Sequence, residues 1–399
     1  MNNVFYITTP IYYVNDDPHI GHAYTTILAD VLSRYHRSVG EETLFLTGLD
    51  EHGQKVQQAA LDRGVAPQKH CDEMAPRFMK LWEKLHISND DFIRTTEDRH
   101  KRVVQDILRR VYASGDIYED EYAGLYSVSE ERFITKKEAE SGEFRDIREL
   151  KEKNYFFKMG TYQQALIDHI NSYPKFIQPE HRKNEILGFL KQPLNDLCIS
   201  RPKSRLNWGI ELPFDSNYVT YVWFDALINY ITAAGFSSNQ ESFNKWWPAS
   251  YHLIGKDILT THAVYWPTML MSAGIKLPTS IFAHGWWLMR ESKMSKSMGN
   301  VVNPMDLIDN YGVDPVRYYL MREMVLGQDA SFTLESFIKR YNSDLANDFG
   351  NLLSRITTLV KKNFAGILPE PGELTQPELD IRSSAEDLVE LVNDKIRSM

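Results

Sequence analysis

Cysteine is almost missing from this chain. Only Cys71 and Cys198 carry thiols among 399 residues, far apart and outside any Cys-x-x-Cys pair. That excludes a disulfide framework and a thiolate zinc site as expectations, and both thiols are expected to be buried and reduced. Long apolar runs are missing too: no stretch approaches the roughly 20 residues a membrane helix needs, so no membrane partner is expected. The opening residues, Met1-Asn2-Asn3-Val4-Phe5, lack the basic segment of a secretory leader and read as the approach to a first strand. Residence in the cytoplasm is the default expectation. Positive charge is in deficit, with a net charge of −9. This argues against a basic coat for nucleic acid but leaves local basic patches open, because charge is screened within about 8–10 Å.

What is present, 43% hydrophobic and 25% charged residues, has the mix of a globular chain long enough for two or three domains. Its organising stretch runs from Thr9 to His22. An apolar run, Val4 to Ile7, reads as a buried strand, and Ala23 to Leu32 has helical apolar spacing. His19 and His22 are therefore expected in a first helical turn, on one side, where unpaired N–H groups and the dipole attract phosphate. Gly21 between them lets a flat group approach the backbone.

Strand and helix alternate through the first third. Glu42 to Gly48 is a second buried strand, and helices are expected at about 67–86 and 99–114. Leu49-Asp50-Glu51-His52-Gly53 follows that strand, so Asp50 faces the same crevice; a helix N-cap and first-turn acid is the plainer reading of Asp50 and Glu51. From about 116 the texture changes. Tyr118 to Tyr126 reads as short exposed strands around a turn, the run Glu130 to Lys153 has little periodicity, and helices follow at about 160–172 and 179–191. Tyr218 to Phe224 is β-branched and aromatic, a strand by composition that reopens the sheet. Tyr251 to Ile254 is another strand, leading into Gly255-Lys256-Asp257 and a helix from about Ile258 to Ala273. Ser280 to His284 is the last, ahead of Lys293-Met294-Ser295-Lys296-Ser297. Taken alone, that pentapeptide is a solvated basic loop; its position after the last strand favours a phosphate-binding role. Beyond Val302 the chain is helical, with a linker from Gly366 to Pro377 and an amphipathic helix to Met399. The fold class is α/β, a doubly wound Rossmann-like parallel sheet (1–115 and 218–300) split by an insertion (116–217). A helical linker region (301–340) and an α-helical C-terminal domain (341–399) follow.

His19-Ile20-Gly21-His22 and Lys293-Met294-Ser295-Lys296-Ser297, in this order at opposite ends of an α/β pattern, resemble the two signature motifs of class I aminoacyl-tRNA synthetases. With its flanking residues the chain resembles the methionyl-tRNA synthetase family from its start to at least Arg355. The resemblance implies activation of L-methionine by ATP and transfer to the 3′ end of methionine tRNA. It implies ATP contacts from His19, Gly21, His22, Gly255, Asp257, Lys293, Ser295 and Lys296, of which His19, His22, Lys293 and Lys296 are catalytic, with Mg²⁺ accompanying the nucleotide. It implies that Asp50 holds the substrate ammonium. It implies that Ile11, Tyr13, Trp208, Ala226, Leu227, Tyr230, Ile258, His262 and Trp266 line a methionine pocket, where aromatic walls suit a thioether and Tyr230 and His262 would present polar atoms to sulfur. Leu227 stands where some members have proline. Asn351 and Arg355 would contact anticodon bases; a solvated helix face is the other reading.

The insertion corresponds to the family's connective peptide but departs from a common pattern. Tyr126 to Glu131 and Phe144 to Arg148 stand where many members carry zinc-binding cysteines, so no structural zinc is expected. The closing helices bury little, and the chain reads as a catalytic core with an incomplete anticodon-binding domain. Three rivals are weighed. The cysteine enzyme of class I would need zinc ligands these two cysteines cannot supply. A silent tRNA-binding paralogue has no need of His19, His22, Lys293 and Lys296. For a small-molecule nucleotidylyltransferase the insertion and tail are surplus.

Overall fold

Apolar and aromatic residues dominate strand β1 (Val4–Tyr13), and every residue from Phe5 to Pro10 is buried. Both faces are covered, as in the centre of a doubly wound sheet. The strand runs well past the apolar stretch that announces it. Pro10, which has no N–H, falls inside a register shift between Thr8 and Ile11, so the missing donor interrupts the ladder where it is already irregular. The computed structural model describes residues 4–127, 132–134, 139–140, 146–289, 292–293 and 302–399.

Further strands include β2 (Glu42–Asp50), β3 (Asp91–Arg94), β4 (Ile117–Ser127), β5 (Arg132–Ile134), β6 (Ile147–Phe157), β7 (Ile177–Gln178), β8 (Leu197–Cys198), β9 (Ser200–Pro202), β10 (Glu211–Leu212), β11 (Asp215–Thr220), β12 (Tyr251–Gly255) and β13 (Ile281–His284). Six form one parallel sheet in the order β3-β2-β1-β12-β13-β7. Strand order reverses at β1, which lies between β2 and β12. Ligands of such sheets bind outside the carboxyl ends of the strands at that switch point.

Helices α1 (Ile20–Ser38), α2 (Gln54–Asp62), α3 (Pro67–Lys84) and α4 (Asp98–Ala113) accompany the first half of the sheet. Helix α4 buries His100, Val103, Val104, Ile107, Leu108 and Val111, the three-and-four spacing of a core-facing stripe. Each fully buried Val, Ile or Leu there contributes about 1.5–3 kcal/mol.

Two local expectations are corrected. Residues 118–126 are not short strands around a turn: β4 is continuous and pairs with β6 from Ile117↔Phe157 to Ser127↔Ile147, in an antiparallel sheet ordered β5-β4-β6-β8. Cross-strand pairing supplies what local periodicity did not show. The run from Tyr218 to Phe224 does not reopen the parallel sheet. Its strand, β11, ends at Thr220 and belongs to a small antiparallel sheet with β9 and β10. Residues Val222–Ala226 are helical, with Phe224 and Asp225 fully buried; tertiary contacts override a β-prone composition. The parallel sheet resumes with β12 instead. The helix expected from about Ile258 to Ala273 forms as one run that changes type, from a 3-10 turn (Lys256–Ile258) through a wide π turn (Thr261–Tyr265) to an α segment (Trp266–Ser272). Pro267 cannot return an N–H to the previous turn, and such π turns concentrate at functional sites.

The chain divides into two units, Met1–Ala330 and Ser331–Met399. The second is helical over Leu334–Arg340, Tyr341–Gly350, Asn351–Phe364 and Gln376–Arg397. Thr375 and Glu378 form a reciprocal capping box at the start of the last helix. Among the described residues no helix is long and apolar enough to cross a membrane.

Candidate active site

At the carboxyl end of β1 the chain turns into α1, and the two signature histidines build its N-terminus. His19 is the N-cap, one position before the first turn where the spacing placed it, and His22 is at N3. The His19 Nδ1 accepts the Gly21 N–H at 3.1 Å, and the His22 Nδ1 accepts the His19 N–H at 3.1 Å. This is a capping box in which imidazoles replace the usual hydroxyl and carboxylate. An Nδ1 that accepts cannot carry the ring proton, so both rings hold it on Nε2. The rings stack with centroids 3.8 Å apart, and His22 lies edge-on to Tyr12 at 4.7 Å. Gly21 has a second use beyond open backbone: a Cβ there would lie 3.0 Å from His19 Cε1 and 3.1 Å from Nδ1.

Asp50 ends β2 and is the Cα partner of Tyr13 at the end of β1. It is buried. Neither it nor Glu51 caps α2, whose N-cap is Gly53. Glu51 is a buried carboxylate that accepts from Arg94 Nε at 2.7 Å and from the Thr96 hydroxyl. Trp208 closes on the same loop, donating from Nε1 to the Glu51 carbonyl at 2.5 Å and accepting the Gly53 N–H at 3.2 Å.

Four of the expected pocket residues, Tyr13, Tyr230, His262 and Trp266, are joined through Trp223 into one aromatic wall. Tyr13, Trp223 and His262 follow in edge-to-face contact at 6.5 and 6.4 Å, and Tyr230 meets His262 and Trp266 at 5.8 and 6.0 Å. Ala226, Leu227, Tyr230, His262 and Trp266 are buried, whereas Ile11, Tyr13, Trp208 and Ile258 are half-buried. The polar atoms of the wall are bonded to one another. The Ile258 carbonyl can only accept, so the His262 Nδ1–H donates to it at 3.0 Å, and the Tyr230 hydroxyl donates to His262 Nε2 at 2.8 Å. Burial holds His262 down at about 4, against smaller upward pulls from the Ile258 carbonyl and Asp257.

Beneath the wall Trp266 Nε1–H donates to His252 Nε2 at 3.2 Å, and His252 Nδ1–H donates to Thr8 Oγ1 at 2.8 Å. Burial, with His262 nearby, pushes His252 well below the ordinary imidazole range. Tyr230 stacks on His252 at 4.2 Å.

Gly255 and Asp257 follow β12. The Asp257 carboxylate accepts from Trp286 Nε1 at 3.0 Å. Trp286 is further held by its N–H to Asp329 (2.8 Å) and by Lys256, whose ammonium lies 4.1 Å from the ring centroid. His284 ends β13 and donates from Nδ1 to the Gly285 carbonyl (2.7 Å); its Nε2 accepts from Thr25 Oγ1 of α1 (2.7 Å). One imidazole thus links the first motif's helix to the strand that leads towards the second. Of that second motif, Ser292–Lys293 is a short strand paired with Leu288 and Met289; Ser295 and Lys296 lie outside the described residues. Asn351 and Arg355 are exposed on one helix of the second unit.

Sequence reasoning missed His52, His100, Asp225, Trp223 and His252. Asp225 is fully buried and accepts from His52 Nδ1 and His100 Nε2, each at 2.6 Å. Burial alone would raise its carboxyl, but the charge of His52 and the hydrogen bonds from both histidines hold it at about 2. The available signal was a lone polar residue inside an apolar run, as in Tyr251-His252-Leu253-Ile254. Among the described residues no group of three or more His, Cys, Asp or Glu could hold a metal ion. Cys71 is buried, and its thiol is pushed above the ordinary range.

The family described as tRNA synthetases class I (M) matches residues 5–143 and 144–357. The methionine--tRNA ligase of Fusobacterium nucleatum is 52% identical over 396 residues, covering 98% of this chain and 62% of the relative. That of Bacillus subtilis is 46% identical over 416 residues, covering 100% and 62%. The chain therefore spans 62% of the length of these two relatives. A solved structure of Mycobacterium tuberculosis methionyl-tRNA synthetase in complex with methionyl-adenylate superimposes with a TM-score of 0.95 at 44% identity, covering 99% of this chain and 79% of that one.

Proposed function

Because the chain belongs to the family of class I tRNA synthetases (M), we propose that it is a methionine--tRNA ligase acting in the cytoplasm. It activates L-methionine with ATP to methionyl-adenylate and passes the methionyl group to the 3′ end of methionine tRNA. One juxtaposition carries the reading: paired Nε2–H imidazoles at the start of α1 and an aromatic wall that begins at Tyr13, the cross-strand neighbour of Asp50, stand at the same switch point of one sheet.

The nucleophile is the substrate's own carboxylate, ionised at neutral pH, so no protein base is required for the first step. A carboxylate oxygen attacks the α-phosphorus, and the bond to the bridging oxygen breaks to release pyrophosphate. The protein's task is positioning and charge stabilisation. Asp50 pairs with the ammonium. The wall of Ile11, Tyr13, Trp208, Ala226, Leu227, Tyr230, Ile258, His262 and Trp266 holds the side chain. With the Tyr230 hydroxyl proton given to His262 and the His262 proton to Ile258, the thioether meets the tyrosine oxygen and ring faces, not a spare donor. His19 and His22 donate from Nε2 to phosphate beside the helix N-terminus, and Gly21 keeps His19 seated. Gly255 and Asp257 contact the adenosine, and Lys293, Ser295 and Lys296 serve the β- and γ-phosphates. Mg²⁺ would enter on the triphosphate, whose oxygens suit its hard, oxygen-seeking character. In the second step the tRNA 3′-terminal hydroxyl attacks the acyl carbon and AMP leaves. Residues 116–217 act as connective peptide, and 341–399 belong to an anticodon-binding region in which Asn351 and Arg355 contact bases.

Incubation with methionine, ATP labelled at the α-phosphate and methionine tRNA tests both steps. The expected result is labelled methionyl-adenylate without tRNA, and labelled AMP with methionyl-tRNA when tRNA is added. Adenylate without charging removes tRNA from the proposal; no labelled product with methionine overturns it.

A further inference from the structure

We propose that Asp225 is a positioning residue for the amino-acid substrate, tying the loop that carries Asp50 to the helix that carries Ala226 and Leu227. The proposal rests on the methionine reading of the crevice. His52 lies two residues after Asp50, and Asp225 immediately precedes Ala226 and Leu227. The 2.6 Å bond between them therefore joins the ammonium side of the site to its side-chain wall, across 173 residues of sequence. His100 of α4 takes the other carboxylate oxygen at 2.6 Å, which fixes the carboxylate plane against the core. Trp208 anchors the same loop through the Glu51 carbonyl and the Gly53 N–H, so residues 50–53 are held from two pocket walls at once. Asp225, His52 and His100 are all buried, and no step of the chemistry uses them. The phosphate-side groups His19 and His22 are held by their own capping box. Loosening Asp225 moves the ammonium site relative to the side-chain wall and leaves the phosphate side in place.

The test compares wild type, Asp225→Asn, His52→Gln and the double variant in pyrophosphate exchange, with KM for methionine and for ATP measured separately. Asp225→Asn keeps the shape and removes the charge; the expected result is a rise in methionine KM of about tenfold or more, the scale of a charge-assisted hydrogen bond, with ATP KM within about twofold. His52→Gln cuts the same bond from the other side, so the double variant should lose no more than the worse single one. Should Asp225→Asn fail to fold, His52→Gln still carries the split. Methionine and ATP KM rising together, no rise in either, or the two losses multiplying in the double variant would each overturn the positioning role. A wild type without methionine-driven exchange overturns both this proposal and the reading beneath it.

Discussion

Replacing Gly21 with alanine perturbs the first motif without touching a ring. The added Cβ would stand 3.0 Å from His19 Cε1, closer than ordinary van der Waals contact, so the imidazole must give by a few tenths of an ångström. That shift lengthens the 3.1 Å cap from Gly21 N–H to Nδ1 and disturbs the 3.8 Å stack on His22. Losing an N-cap costs about 0.5–2 kcal/mol, whereas alanine gains up to about 1 kcal/mol over glycine in a helix. The two nearly cancel. Thermal unfolding is expected to move by no more than about 2–4 °C. Catalysis has no such compensation on the proposed function, in which the Nε2–H of His19 donates to phosphate and would leave its aim, because misplacements on the scale of 1 Å cost about 10²-fold. Methionine-dependent pyrophosphate exchange should fall by roughly 10–100-fold at saturating substrates, measured beside a melting curve. Exchange within twofold of wild type would refute the reasoning, as would a loss of activity matched by a loss of stability.

Tyr230→Phe leaves His262 Nε2 as a buried acceptor without its hydroxyl; a destabilisation of about 1–3 kcal/mol by chemical denaturation and a higher methionine KM are expected. Asp50→Asn should raise methionine KM about 100-fold and leave ATP KM nearly unchanged, read from the same exchange assay. His262, held at about 4 by burial, stays neutral while the unfolded chain takes up a proton. Its contribution is complete above about pH 6.5 and is lost as pH falls towards 4, so the wild-type melting temperature should drop more steeply over that window than that of His262→Gln. Asp225, held at about 2 against an ordinary 3.8, contributes stability above about pH 4 that is lost as pH falls through 2; Asp225→Asn should flatten that acid limb. Homocysteine, which has a thiol in place of the S-methyl group, should support weak exchange, since a largely apolar pocket discriminates by only about 1–3 kcal/mol per carbon group; no exchange above background would show tighter selection.

Short-range features were legible in the sequence and long-range ones were not. The spacing of His19 and His22 and the apolar stripe of α1 place both rings at a helix start, because a helix turn is a local event. Their exchange of Nδ1 for hydroxyl and carboxylate caps was not readable, since it depends on where the rings turn. The wall of Tyr230, His262 and Trp266 came from resemblance, and its internal hydrogen bonds follow from the wide turn at Thr261–Tyr265. The cluster of His52, His100 and Asp225 joins residues 125 and 173 positions apart, a separation no local pattern reports. Val222 to Phe224 misled for the complementary reason. Their β-prone side chains form a helical turn because burial of Phe224 and the bonds of Asp225 outweigh propensity.

The most direct test of the central claim is pyrophosphate exchange into ATP with each amino acid supplied singly. Exchange driven by methionine, and abolished in Lys296→Ala, is the predicted result. Exchange driven by another amino acid would keep the crevice and contradict the pocket, and folded protein that exchanges with none of them would contradict the account as a whole.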